Sequence, residues 1–380
     1  MTTLRHAVGS LLVVGLAGTE LTGLERAWLR VVRPAGVILF RRNITDAQQT
    51  RALLNEATEV CAPHAFRLVD VEGGTVDRLR DALAPMPSAH AVAVAAQRSG
   101  KRSFAQEHGE LIARGVRAFG FNTTLAPVLD LALPASAEVM GTRAVVASAE
   151  GVIEYARNFL AGLAAHGVAG CGKHFPGLGG GMRDSHFETP KIERGWRALW
   201  EEDLAPYRTL RKEMPMVMVN HAAYPATSGG NKPASVSPFW ITTVLRKRIG
   251  YRGIIFSDDL EMGGILKVLP MEEAAIAAVH AGMDMLEICH SPELILRAYE
   301  ALQAEAERSA TFRRLVQERA RVVSRQRAKL FVGGIPAGLT AKQFEALRAR
   351  ILRFREAVMK LAESPETTPA KKLAPVVETA

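Results

Sequence analysis

Eight short apolar runs separated by longer stretches of helical periodicity constrain this chain more than any other feature. The runs occupy residues 10–16, 36–40, 66–70, 124–128, 168–173, 216–220, 253–258 and 283–288. Each is continuously apolar rather than alternating, as expected of parallel strands covered on both faces. Between them, residues 47–61, 104–119, 149–166, 196–212, 241–249 and 272–281 have helical character, and residues 82–100 are less clear. Eight strand-helix units predict an α/β fold of the (β/α)8 TIM-barrel type, which needs about 250 residues. An open doubly wound sheet is the alternative. It would place a G-x-G-x-x-G loop after the first strand, and Gly15-Leu16-Ala17-Gly18-Thr19 lacks that spacing.

Several runs end in polar groups: Arg41-Arg42-Asn43, Asp70-Val71-Glu72, Lys173-His174, Asn220-His221 and Asp258-Asp259. In a barrel these ends converge on one face, where catalysis is carried out. After residue 290 the strands stop. Residues 292–329 read as one or two Arg/Glu-rich helices, Gly333-Gly334-Ile335-Pro336 interrupts them, and residues 340–362 resume as an amphipathic helix. The expected organisation is a single catalytic barrel over residues 1–330, a helical extension over 331–363, and a Pro/Thr/Ala/Lys-rich disordered tail over 364–380.

With 48% hydrophobic and 23% charged residues, the 380-residue chain has the composition of a globular protein. Its Cys61, Cys171 and Cys289 are odd in number, widely spaced and without C-x-x-C pairing. They read as buried thiols in a reducing compartment, and a cytoplasmic protein is expected. The apolar run 11–17 is short for a secretory signal and suits a first buried strand. No stretch is long and apolar enough to span a bilayer. The net charge of +9 comes largely from Arg in the C-terminal third, interspersed with Glu at helical spacing, as in Glu305/Arg308 and Glu318/Arg321. That is the pattern of a solvated helix face. Without interleaved aromatics, no nucleic-acid partner is expected.

Chemistry is concentrated in Lys173-His174-Phe175-Pro176-Gly177-Leu178-Gly179-Gly180-Gly181-Met182-Arg183-Asp184-Ser185-His186. The consecutive glycines are costly to order, so a mobile or unusually shaped loop is expected there. In extended backbone Asp184 and His186 project to one face, where the carboxylate can orient the imidazole as an acid/base group. No metal or cofactor is expected. Lys173 and Arg183 make the setting of His174 and His186 electropositive, and no H-x-x-x-H helix occurs there.

This segment resembles the signature of family 3 glycoside hydrolases, K-H-[FI]-P-G-[HL]-G-x4-D-[ST]-H, and satisfies every fixed position. Within that family the chain is most similar to the single-domain β-N-acetylglucosaminidases of the NagZ type. The resemblance covers about residues 10–290 and includes Asp70-Val71-Glu72-Gly73-Gly74 with Arg78, Ala126-Pro127-Val128-Leu129-Asp130, and Phe256-Ser257-Asp258-Asp259-Leu260-Glu261-Met262. It implies that Asp258 is the nucleophile and that His186, held by Asp184, is the general acid/base. It also implies that Asp70, Arg78, Arg143, Lys173 and His174 bind the sugar.

Asp259 is the rival carboxylate. Neighbouring strand residues face opposite ways, so one of the pair enters the pocket, and Asp259 is assigned to capping the following helix. The chain departs from the family at Val71 and Thr75, where Gln and Arg are common, and at Ala144-Val145-Val146 after Gly141-Thr142-Arg143.

The implied activity is retaining exo-hydrolysis of terminal β-linked N-acetylglucosamine from peptidoglycan fragments, as in cell-wall recycling. The partner would be an N-acetylglucosamine-containing saccharide or muropeptide. A phosphorylase or broader β-glycosidase using the same residues is the near alternative, and a non-catalytic sugar-binding barrel the distant one.

Overall fold

The computed structural model describes residues 3–181 and 189–363. Eight parallel strands close into a barrel: β1 (Leu12–Gly15), β2 (Gly36–Leu39), β3 (Phe66–Val69), β4 (Thr123–Thr124), β5 (Ala169–Phe175), β6 (Met216–Val219), β7 (Ile254–Asp259) and β8 (Met285–Ile288). Each strand pairs with its sequence neighbours, and β8 closes on β1 with Leu12 opposite Leu286 and Val14 opposite Ile288. All eight strands overlap the expected runs, although β4 shares only Thr124 with its run and β5 and β7 extend past theirs.

Side-chain alternation along the strands divides the core in two. Val13, Ile38, Phe66, Leu68, Ala169, Cys171, Met216, Met218, Ile254, Phe256 and Met285 fill the barrel interior. Leu12, Val14, Val37, Leu39, Val217, Ile255 and Leu286 face outward into the helical layer. Residues on both faces are buried, which is why the sequence runs are unbroken.

β4 is the shortest strand because Pro127 has no N–H to donate to a ladder. Carbonyls extend the pairing instead: Cys171 N donates to Ala126 O at 2.8 Å and Lys173 N to Pro127 O at 3.1 Å. The unclear region contains a helix at Ala89–Ser99, N-capped by the Ser88 hydroxyl. Two early helices were not anticipated, Leu4–Gly9 and Gly23–Val32. The second begins with a capping box in which Thr22 and Glu25 satisfy each other's backbone N–H groups.

Beyond the barrel, helices Pro292–Arg308 and Ala310–Leu330 are joined at Ser309. Val323 and Phe331, at the end of this layer, plug the N-terminal mouth of the barrel, with Phe331 edge-on to Phe66 at 5.2 Å. The last helix, Ala341–Ala362, buries Leu347, Ile351, Phe354 and Val358. Its Phe354 meets Phe104 at 5.9 Å, and its Phe344 meets Phe119 at 6.0 Å. With the N-terminal mouth closed, the C-terminal ends of the strands are the open face.

Candidate active site

Parity along the strands selects the residues that reach the pocket. Asp70 follows Phe66 and Leu68, Lys173 follows Ala169 and Cys171, and Asp258 follows Ile254 and Phe256. Asp70 and Lys173 therefore continue the inward-facing set at the strand ends, while Asp258 lies where the pairing of β7 with β8 shifts register, between Phe256 opposite Met285 and Asp259 opposite Glu287.

Lys173 is buried, and its Nζ donates to Asp70 Oδ1 and to Glu72 Oε1, both at 2.7 Å. Glu72 lies two residues beyond Asp70, on a hairpin formed by Val71–Gly73 and Val76–Asp77. Gly73 and Gly74, at φ 91° and 66°, make the turn that β-carbon-bearing residues would resist. Arg143, in the one-turn helix Gly141–Arg143, grips Glu72 from the opposite side, with Nε to Oε2 and Nη2 to Oε1 both at 2.9 Å. This fork-to-fork pairing fixes the guanidinium plane as well as its charge.

Burial would raise the Glu72 carboxyl pKa, but Arg143 and Lys173 outweigh it and hold the group well below the carboxylate range. For Lys173, burial favours the neutral amine, yet Asp70 and then Glu72 raise its pKa above the ordinary lysine value. Glu72, Lys173 and Arg143 are thus held charged and paired, as a buried charge cluster must be.

His174 is held from below. Its Nδ1 lies 2.6 Å from Asp130 Oδ2, which also accepts from the His174 backbone N–H at 3.1 Å, and Asp130 Oδ1 accepts from Leu178 N at 2.7 Å. With the carboxylate at Nδ1, the proton is assigned there, and Nε2 turns toward Arg143 Nη2 at 3.4 Å. Asn220 Nδ2 donates to His174 O and to Tyr224 Oη, both at 2.9 Å, and Tyr224 Oη donates to Gly177 O at 2.8 Å. The start of the glycine-rich run is therefore packed. A β-carbon at Gly179 would lie 2.7 Å from the Leu131 carbonyl oxygen, so the glycine there serves close approach. Asp184 and His186 lie outside the described residues.

Arg78 donates its backbone N–H to Asp70 O at 3.1 Å, and its guanidinium carbon sits 5.7 Å from the Phe40 ring centroid. Asp258 Oδ1 accepts from Asp259 N at 3.0 Å. Asp259 does not cap the next helix. Its Oδ1 accepts from Glu261 N at 3.0 Å within the turn, and the helix Gly263–Leu266 begins later, behind Met262. Burial and the neighbouring Glu261 push the Asp259 carboxyl up to about 7.

Asp70 and Asp258 end strands on opposite sides of the barrel. Cys171 and Glu287, both buried, have pKa values raised chiefly by burial, to which the charges of Asp70 and Asp258, and for Glu287 first that of Asp259, add. Glu72, Asp130 and Glu287 were not singled out from the sequence. Glu72 had a signal, its i+2 spacing from Asp70.

Residues 3–325 match the Glycosyl hydrolase family 3 N terminal domain. The chain belongs to glycosyl hydrolase family 3. It is accordingly a glycoside hydrolase. A β-hexosaminidase of Alkalilimnicola ehrlichii is 39% identical over 287 residues, 75% of this chain and 82% of that protein. Among solved structures, a family 3 β-N-acetylglucosaminidase from Paenibacillus sp. superposes with TM-score 0.83 at 30% identity, covering 93% of this chain and 69% of that one. NagZ from Neisseria gonorrhoeae, in complex with N-trifluoroacetyl-D-glucosamine, superposes with TM-score 0.74 at 29% identity, covering 93% and 97%. The same gonococcal protein has been solved in complex with zinc ion. The family-level expectation and the barrel fold both hold.

Proposed function

We propose that this member of the family is a retaining exo-β-N-acetylglucosaminidase acting on peptidoglycan fragments in the cytoplasm. In this reading Asp258 attacks the anomeric carbon while His186, oriented by Asp184, protonates the departing glycosidic oxygen. The covalent glycosyl-enzyme is then hydrolysed by a water that the neutral His186 deprotonates. Asp70, Lys173, His174, Arg143 and Arg78 bind the sugar hydroxyls and the acetamido group.

The observation that carries this reading is the position of Asp258 at the C-terminal end of β7, the same end of the barrel at which the paired Asp70–Lys173–Glu72–Arg143 network is built. A fixed set of donors and acceptors opposite a carboxylate is what preorganised binding of a pyranose requires. Similarity to β-hexosaminidases and to a glucosamine-analogue complex supports the N-acetyl sugar. Three free, buried cysteines fit a reducing compartment. No described helix is long and apolar enough to cross a membrane.

The test compares an aryl N-acetyl-β-glucosaminide with the matching β-glucoside, and follows by NMR which anomer appears first. Preferential cleavage of the N-acetyl substrate with retention is expected, and Asp258→Ala and His186→Ala should each lose turnover while remaining folded. Inversion, or unchanged rates in either variant, refutes the assignment. Adding phosphate separates hydrolysis from phosphorolysis, since a phosphorylase would release sugar 1-phosphate in place of free sugar.

A further inference from the structure

We infer that Asp259, Cys289 and His290 form a binding site for a zinc-class divalent cation, and that occupying it inhibits the enzyme. The inhibitory half rests on Asp258 as the nucleophile; the binding half does not. Asp259 ends β7, and Cys289-His290 directly follow β8. Because these strands are neighbours, one ligand atom from each residue lies within 4.8 Å of the other two. His290 Nε2 is 3.6 Å from Asp259 Oδ2. Tetrahedral zinc, with bonds of about 2.0–2.3 Å, places its ligand atoms roughly 3.3–3.6 Å apart, so small side-chain movements suffice.

The donor set of thiolate, imidazole and carboxylate suits zinc and cobalt, and its sulfur and nitrogen disfavour magnesium or calcium. His290 is exposed, so the ion has a route in and an open fourth position for water.

A second observation points to the same place. Glu287, 3% exposed, accepts from Cys289 Sγ at 3.3 Å through Oε1, while its Oε2 has no hydrogen-bond partner among the described residues. A buried carboxyl with an unmatched oxygen beside a thiol leaves the polar groups at this position incompletely satisfied, and it supplies an outer contact of the kind that orients metal ligands. Asp259, Glu261 and Glu287 surround the position. Arg42 offsets part of this charge, although its guanidinium is committed to the carbonyls of Leu16 and Cys289. On binding, Cys289 releases its thiol proton to solvent and forms the sulfur–metal bond; nothing is oxidised.

Inhibition follows from adjacency. Asp259 N–H donates to Asp258 Oδ1, so a dication on the Asp259 side chain fixes that peptide and lowers the electron density available at the attacking carboxylate. The zinc complex of the gonococcal relative does not say which residues of this chain would hold an ion, and the Asp184/His186 pair is the competing location.

The full-length protein, stripped with chelator, is titrated with Co2+ and monitored for a thiolate-to-cobalt charge-transfer band, then with Zn2+ during turnover. A band saturating at one ion per chain is expected. Cys289→Ser should abolish it, and His290→Ala, at an exposed position, should weaken binding at least about tenfold, with the inhibitory zinc concentration rising in step. Asp258→Ala should retain the band, so failure of the nucleophile assignment and failure of the site are read separately. Absence of a thiolate band overturns the proposal, as does unchanged affinity in His290→Ala. Zinc binding, read by calorimetry, that vanishes in His186→Ala but persists in His290→Ala overturns it in favour of the loop pair, and a band without inhibition of the wild-type enzyme refutes the inhibitory half.

Discussion

Replacing Glu72 by Gln removes one charge and almost no volume from the most tightly connected point of the pocket. The Glu72 side chain is 3% exposed, and its two oxygens accept three charge-assisted bonds, two from Arg143 and one from Lys173. A Gln amide keeps one acceptor and turns its NH2 toward cations, so about two such bonds are lost at about 1.5–3 kcal/mol each. The resulting cost of about 3–6 kcal/mol overlaps that of leaving a buried charge unpaired. Arg26–Glu56 is the control, since its side chains are 44% and 41% exposed and solvent screens the pair, so Glu56→Gln should cost far less. Urea unfolding at constant m-value measures both differences. Because Arg143 and Lys173 also lose their shared anchor, kcat/KM should fall on the order of 100-fold. The linkage has a definite sign. A depressed carboxyl pKa contributes stability that is complete above the unfolded value of 4.5 and is lost as pH falls below it, so the gap between wild type and Glu72→Gln should narrow in acid. A Glu72→Gln penalty no larger than that of Glu56→Gln would refute the claim that this network is the structural anchor of the pocket.

Other perturbations probe different elements. His108 is fully buried, and burial lowers its pKa from 6.5 to about 3. The unfolded chain therefore binds a proton that the folded chain refuses between those values, and stability should decline as pH falls through that window, by up to about 1.4 kcal/mol per pH unit; His108→Phe should flatten this decline in pH-dependent unfolding, and an unchanged slope would count against it. Asp77, whose carboxyl burial raises to about 6, has the opposite sign: its contribution falls as pH rises from about 3.8 to about 6, which Asp77→Asn should remove from the same curves even as it weakens the bonds to Leu79 N and Met86 N. Gly179→Ala drives a methyl against the Leu131 carbonyl and should cost about 1–3 kcal/mol in thermal unfolding, with activity falling more than a distant surface substitution would cause.

The barrel was legible because parallel strands buried on both faces leave unbroken apolar runs, and no other element of this chain produces eight of them. Helix Gly23–Val32 could have been found from its Thr22-x-x-Glu25 box, since that spacing carries its own mechanism. Leu4–Gly9 could not, because six residues hold too little periodicity to separate a helix from a strand's approach. In the pocket, Asp70, Lys173 and Asp258 were visible as polar ends of apolar runs. Asp130 was not, because its partner His174 is 44 residues away and only the neighbouring of β4 and β5 brings them together.

Glu287 exposes a rule that the reading by strand ends passed over. A charged residue inside an otherwise apolar strand must either face water or have a use, because isolated carboxylates are seldom buried without one. Inward parity of Lys173 and Glu287 excludes the outer helical layer, and the plugged N-terminal mouth excludes the opposite end, so these two and Asp258, at the end of β7, gather at the open end of the barrel. Two of these three belong to the proposed sugar site. The third is the one whose second oxygen lacks a partner among the described residues, and it touches a thiol beside the proposed nucleophile's neighbour. Counting charges by strand position, rather than by motif, leads to both the proposed sugar pocket and the proposed cation site from the same eight strands.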